Sequence, residues 1–192
     1  MILYIHGFAS SGLGAKAKLL RQRFGEHALA PSLSFIPDLA LDTLEQIVER
    51  TLKREPVGLV GSSLGGFYAT VLALRYDLRA VLINPSIRPY ETLAPYVGSV
   101  TGFHDRSRFE WRTGHIEALR AMAPETIDRP ENFLLLLQTG DETLDYRVAK
   151  ACFEGADMVV EEGGSHAFDG FERHLGRIGD FLNEKEICWK RV

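Results

Sequence analysis

The sequence predicts a doubly wound α/β domain: a mostly parallel sheet with helices on both faces. Its apolar runs are short and unbroken, at Ile2–Ile5 and residues 57–60, 80–83 and 133–137. Strands that read this way are covered on both faces, which is the habit of parallel sheets. Between the runs lie segments with apolar residues at helical spacing. Turn residues close the first three runs, as His6-Gly7, Gly61 and Asn84-Pro85.

Taken in order, Ile2–Ile5 is a buried strand that ends at Gly7. A Ser/Gly-rich loop leads into a helix over Ala15–Phe24. Phe35-Ile36 reads as part of a second strand, stopped by Pro37-Asp38. Leu44, Ile47, Val48 and Leu52 then mark a helix, with Asp42 and Glu45 as a cap and its reciprocal partner. The run at 57–60 is the next strand, and Tyr68, Val71, Leu72 and Arg75 follow with helical spacing. Residues 80–83 form another strand. The five apolar residues at 133–137 are the best candidate for a central one. A helix at 146–153, a last strand at 158–160 and a closing helix through Phe171, Leu175, Ile178, Phe181 and Leu182 complete the pattern. Residues 86–130 interrupt it. This proline-bearing insertion precedes the acid-bearing strand and holds helical pieces such as 116–122.

The chain has 192 residues, enough for one domain with one substantial core, and no linker or repeat divides it, so residues 1–192 read as a single domain. Its net charge is −4, and its basic residues are spread without a cluster, which argues against nucleic-acid binding. No apolar run approaches the length of a membrane span, and the opening run is too short for a signal peptide. Cys152 and Cys188 lack metal or redox spacing and read as two thiols in a reducing compartment. The expected location is the cytoplasm.

The strongest local signal is Gly61-Ser62-Ser63-Leu64-Gly65, followed at once by Gly66. It fits the nucleophile elbow of α/β-hydrolases, in which a serine sits on a sharp turn between strand and helix. Glycines on either side let strand and helix pass without a side-chain clash. The flanking segments supply the strand and helix that the motif requires. Ser63 holds the central position, and a helix N-cap serine is the blander reading of it.

A serine hydroxyl attacks a carbonyl only when a base removes its proton. In this fold the base comes late, after the last strand, where Gly163-Gly164-Ser165-His166 lies. His6 precedes the elbow, His27 and His174 fall in or near helices, and His104 and His115 are in the insertion. The third member must hold the imidazole and stabilise its charged form. Asp141 is the first carboxylate after the 133–137 strand; Glu142 and Asp145 compete locally, and Asp145 also suits a helix N-cap. The oxyanion hole calls for two main-chain N–H groups. Leu64, the residue after the nucleophile, supplies one at a helix N-terminus, and Phe8, in the loop after the first strand, is the candidate for the other.

These residues resemble the YqiA-like esterases, a branch of the α/β-hydrolase superfamily. The resemblance rests on residues 3–8 and 58–66, Asn84-Pro85, Arg88-Pro89, residues 138–142 with Leu144-Asp145-Tyr146, and residues 162–168. It spans nearly the whole chain in order. It implies a cap-poor hydrolase with esterase activity on short esters or acyl-CoA thioesters, with Ser63, Asp141 and His166 as its catalytic positions. Similarity is least in the 86–130 insertion.

The expected partner is a small-molecule ester or thioester, with no cofactor, metal, nucleic acid or membrane; a homo-oligomer is compatible with the sequence. The elbow lacks the lysine of a phosphate-binding loop, and no metal motif occurs. Six arginines in the insertion suggest contacts to coenzyme A phosphates, but six acidic residues balance them. Acyl-CoA thioesterase activity is therefore one alternative, and a non-catalytic binding protein on the same fold is the other.

Overall fold

Every residue of β1 (Ile2–Ile5) is buried, and so is every residue of β3 (Gly58–Ser62) and β7 (Phe133–Gln138). With β2 (Ala28–Leu29), β4 (Arg79–Ile83) and β8 (Asp157–Glu161) they form a six-stranded sheet ordered β2-β1-β3-β4-β7-β8. All five ladders are parallel. This computed structural model describes residues 1–189, with side chains through Leu182; the side chain of Cys188 lies outside them.

Alternation along the strands splits the core in two. Leu3, Ile5, Leu59, Leu82 and Leu135 face one side, where α2 (Pro37–Leu52), α3 (Leu64–Tyr76) and α6 (Tyr146–Cys152) pack. Ile2, Tyr4, Val60, Val81 and Leu134 face the other, under α1 (Ala15–Phe24) and α7 (Leu175–Trp189). Helices thus cover both faces, and the sequence shows unbroken apolar runs because both faces are buried. The run at 133–137 lies between β4 and β8, with a partner on each edge.

The expected strand at Phe35-Ile36 is not formed. Ile36 is instead the N-cap of α2 and Pro37 its first residue. Proline is favoured there because its fixed φ suits a helix and its missing N–H would have had no partner anyway. The strand beside β1 at that edge is the two-residue β2, too short to leave a periodic signal. Asp42 correspondingly does not cap the helix; it lies within α2, accepting a bond from Gln46 Nε2 at 2.7 Å.

The insertion contains α4 (Pro89–Thr92), an antiparallel hairpin of β5 (Gly98–Thr101) and β6 (Arg108–Trp111), and α5 (Thr113–Ala121). The helical piece expected at 116–122 is α5, and the hairpin has no counterpart in the sequence pattern. It is anchored by Trp111, which is 1% exposed and donates from its indole N–H to the Leu93 carbonyl. The Phe8 ring packs edge-on against Trp111 and Phe109, and the Phe103 amide donates to the Ala9 carbonyl. The hairpin is therefore bound to the loop after β1. Truncation of so large a buried side chain typically costs about 3–5 kcal/mol. Trp111→Ala should lower the stability measured by urea unfolding by that amount, and an unchanged unfolding midpoint would contradict the anchoring role.

Candidate active site

Ser63 sits between β3 and α3 with φ 56° and ψ −121°, a conformation that side-chain-bearing residues rarely adopt. Close packing enforces it. A Cβ on Gly61 would lie 2.2 Å from the Gly65 carbonyl oxygen, and one on Gly65 would lie 2.0 Å from that of Ile5. Only glycine at both positions allows α3 to approach β3 and β1 this closely. The turn is also hydrogen-bonded: the Ser63 amide donates to the Ile83 carbonyl, and the Ser63 carbonyl accepts from the Ser86 amide, both at 3.0 Å.

The Ser63 hydroxyl is 3.0 Å from Nε2 of His166. On the other side of the ring, Nδ1 lies 2.9 and 3.0 Å from the two carboxylate oxygens of Asp141. An ionised carboxylate only accepts, so Nδ1 carries the proton and Nε2 is left as an acceptor toward Ser63. The Asp141 side chain is buried. Burial by itself pushes its pKa up. The His166 ring and the Leu144 and Thr143 amides, which all donate to it, outweigh burial and hold the carboxyl below its ordinary value. Of the competing acids, Asp145 caps α6 by accepting from the Arg147 amide, and Glu142 accepts from the His166 amide at 2.9 Å. His6, His115 and His174 turn elsewhere: His6 accepts from the Leu33 amide, His115 from the Arg112 amide, and His174 meets Glu161.

Phe8, Leu64, Ser63 and His166 line one cleft of about 550 Å³. Leu64 is the first residue of α3, where an amide has no partner within its helix. Gly7 lies against Ser63, so the loop carrying Phe8 borders that serine. Leu93, Tyr96, Val100, Phe103 and Leu144 give the cleft an apolar wall, the first four of them from the insertion.

The model of UPF0227, described as an uncharacterised protein family, matches residues 1–183. The chain belongs to this family. The similarity to YqiA-like proteins thus becomes membership of the UPF0227 group. The UPF0227 protein YcfP of Salmonella gallinarum is 27% identical, the match covering 94% of this chain and 98% of the relative. Among solved structures, mouse alpha/beta hydrolase domain-containing protein 10 superposes with a TM-score of 0.68 at 17% identity, covering 95% of this chain and 89% of its own. The esterase PF2001 of Pyrococcus furiosus gives 0.63 at 16% identity, with 95% and 81% covered. The UPF0227 chain therefore has the α/β-hydrolase fold.

In this UPF0227 member, two buried side-chain amides to which the motifs assign no role hold the His166 loop. Gln138 closes β7 and is 2% exposed. Its carbonyl oxygen accepts from the Ser165 and Asp169 amides, and its NH₂ donates to Glu161 and to the Asp169 carbonyl. Asn84 accepts from the Gln138 amide and donates to the Ser165 carbonyl, so it supports the loop. The available signal was a polar residue terminating a fully apolar strand. Among the described residues, no group of three or more His, Cys, Asp or Glu is placed to hold a metal, and no helix is long and apolar enough to cross a membrane.

Because the Asp141 carboxyl is depressed in the folded state, its stabilising contribution is present above the ordinary value of 3.8 and is lost as pH falls through the folded value. In urea unfolding, wild type should therefore be more stable than Asp141→Asn near neutral pH, with the gap closing on acidification below pH 3.8. A constant gap at all pH values would contradict the hydrogen-bonded, ionised Asp141.

Proposed function

We propose that this chain is a serine hydrolase that cleaves a carboxylic ester or acyl thioester through an acyl-enzyme intermediate. The observation that carries the reading is the 3.0 Å contact between Ser63 Oγ and His166 Nε2, with Asp141 on the far side of the ring. As Ser63 Oγ bonds to the carbonyl carbon, His166 Nε2 takes its proton, and Asp141 stabilises the imidazolium. The carbonyl oxygen gains negative charge, met by the N–H groups of Phe8 and Leu64; one such donor is worth about 3–4 kcal/mol of barrier. The C–O or C–S bond then breaks, and His166 returns the proton to the leaving group. Water repeats the sequence on the acyl-enzyme, releasing the acid and restoring Ser63. These residues, the substrate and water account for every bond and proton in the cycle.

The apolar wall of the cleft supports an acyl chain as the bound group, and the fold's occurrence in an esterase such as PF2001 supports the reaction class. Ester and thioester substrates share this chemistry.

Hydrolysis of a panel of short-chain esters and acyl thioesters, followed by pH-stat, tests the reading. Ser63→Ala should fall to near background, a loss on the order of a millionfold where such a serine is the nucleophile. Asp141→Asn should retain binding but lose about 10⁴-fold in kcat, because the imidazole is then held in the wrong tautomer. Undiminished turnover by Ser63→Ala would overturn the proposal.

A further inference from the structure

Lys16 is the second residue of α1, and its side chain lines the same cleft as Ser63 and His166. Its Nζ donates to the Ala167 carbonyl at 2.5 Å, which uses one of three N–H groups. Among the described residues lining the cleft it is the single Lys, Arg, Asp or Glu, so no carboxylate there neutralises it. Burial lowers the pKa of this ammonium, because the charged form loses water without gaining a counter-ion. A surface lysine in a structural role would normally carry its charge out to solvent. Here it is turned into the cleft, and an anion is what it lacks.

The chemistry of the site indicates on which side of the scissile bond that anion belongs. His166 returns its proton to the leaving group, so the leaving group departs on the His166 side. Ala167 follows His166 directly, and Lys16 is bonded to Ala167. We propose that Lys16 recognises an anionic group on the leaving-group side, so that the preferred substrates are acyl esters of an alcohol bearing a carboxylate or phosphate. Ser10 and Thr143, which line the same cleft, add neutral polar groups to the lining. The apolar lining of Leu93, Tyr96 and Val100 is left for the acyl group. This inference rests on the acyl-enzyme reading above and adds the substrate class to it.

The test uses three acetate esters: 4-acetoxybenzoate, its neutral methyl ester, and 4-acetoxyphenyl phosphate. The kcat/KM ratio of each anionic ester to the neutral one is measured for wild type, Lys16→Met and Lys16→Arg. A hydrogen-bonded charge contact corresponds to about tenfold or more. The ratio for at least one anionic ester should therefore fall by at least about that factor in Lys16→Met and be largely kept in Lys16→Arg. The ester that loses more tells carboxylate from phosphate. If Lys16 only tethers the His166 loop, anionic and neutral esters decline together and the ratio stays at its wild-type value, which overturns the proposal. Fluorophosphonate labelling of wild type separates the two readings. A labelled enzyme with an unmoved ratio refutes the role of Lys16 alone. An enzyme that is neither labelled nor active on any of the three esters refutes the acyl-enzyme reading and this inference with it.

Discussion

The close approach of α3 to β1 and β3 at two glycines is the constraint on which the rest of the site depends. It forces Ser63 into a backbone conformation that costs on the order of 1–3 kcal/mol and lifts its hydroxyl above the sheet edge. The strain is sustained because the surroundings over-determine it. The Ser63 amide and carbonyl are bound to β4 and to Ser86, and α3 is almost wholly buried between sheet and insertion. A serine on a relaxed surface turn would keep the same hydroxyl but would have no fixed relation to His166, over a hundred residues away.

That relation is set by the parallel sheet. Parallel strands bring their C-terminal ends to one edge, and β1, β3, β7 and β8 lead there into the loops of Phe8, Ser63, Asp141 and His166. The α/β arrangement thus converts distant sequence positions into one constellation. Polar groups buried beneath these loops complete it. Gln138 and Asn84 satisfy main-chain groups of residues 165–169 that would otherwise be orphaned, so the His166 loop is held in one arrangement. The insertion has a separate role. Trp111, Phe109 and Tyr96 close around Phe8, and Leu93, Tyr96, Val100 and Phe103 give the cleft its apolar wall.

Much of this was legible in the sequence where local chemistry dictates geometry. The Gly61–Gly65 spacing has a steric reason that the positions themselves state, and the four-residue run of β1 reads as a strand because both its faces are buried. Asp141 could be favoured over Asp145 from loop position, and the structure puts Asp145 at a helix cap. The failures have equally local causes. Pro37 reads as a strand terminator, although proline opens a helix just as well, so the pattern alone starts the helix at Asp42 and puts a strand at Phe35-Ile36, whereas α2 begins at Pro37. The β5–β6 hairpin is held by aromatic contacts across the chain, not by pattern within its four-residue strands. Gln138, Asn84 and Lys16 were silent for the same reason, since their partners are distant in sequence.

The most direct test of the central claim is reaction of the folded protein with a fluorophosphonate, followed by intact mass and peptide mapping. One phosphonyl group per chain, located on Ser63, is the result predicted by a serine activated by His166. A folded protein that stays unlabelled, or that carries the adduct on another residue, would contradict the account of Ser63 as the nucleophile.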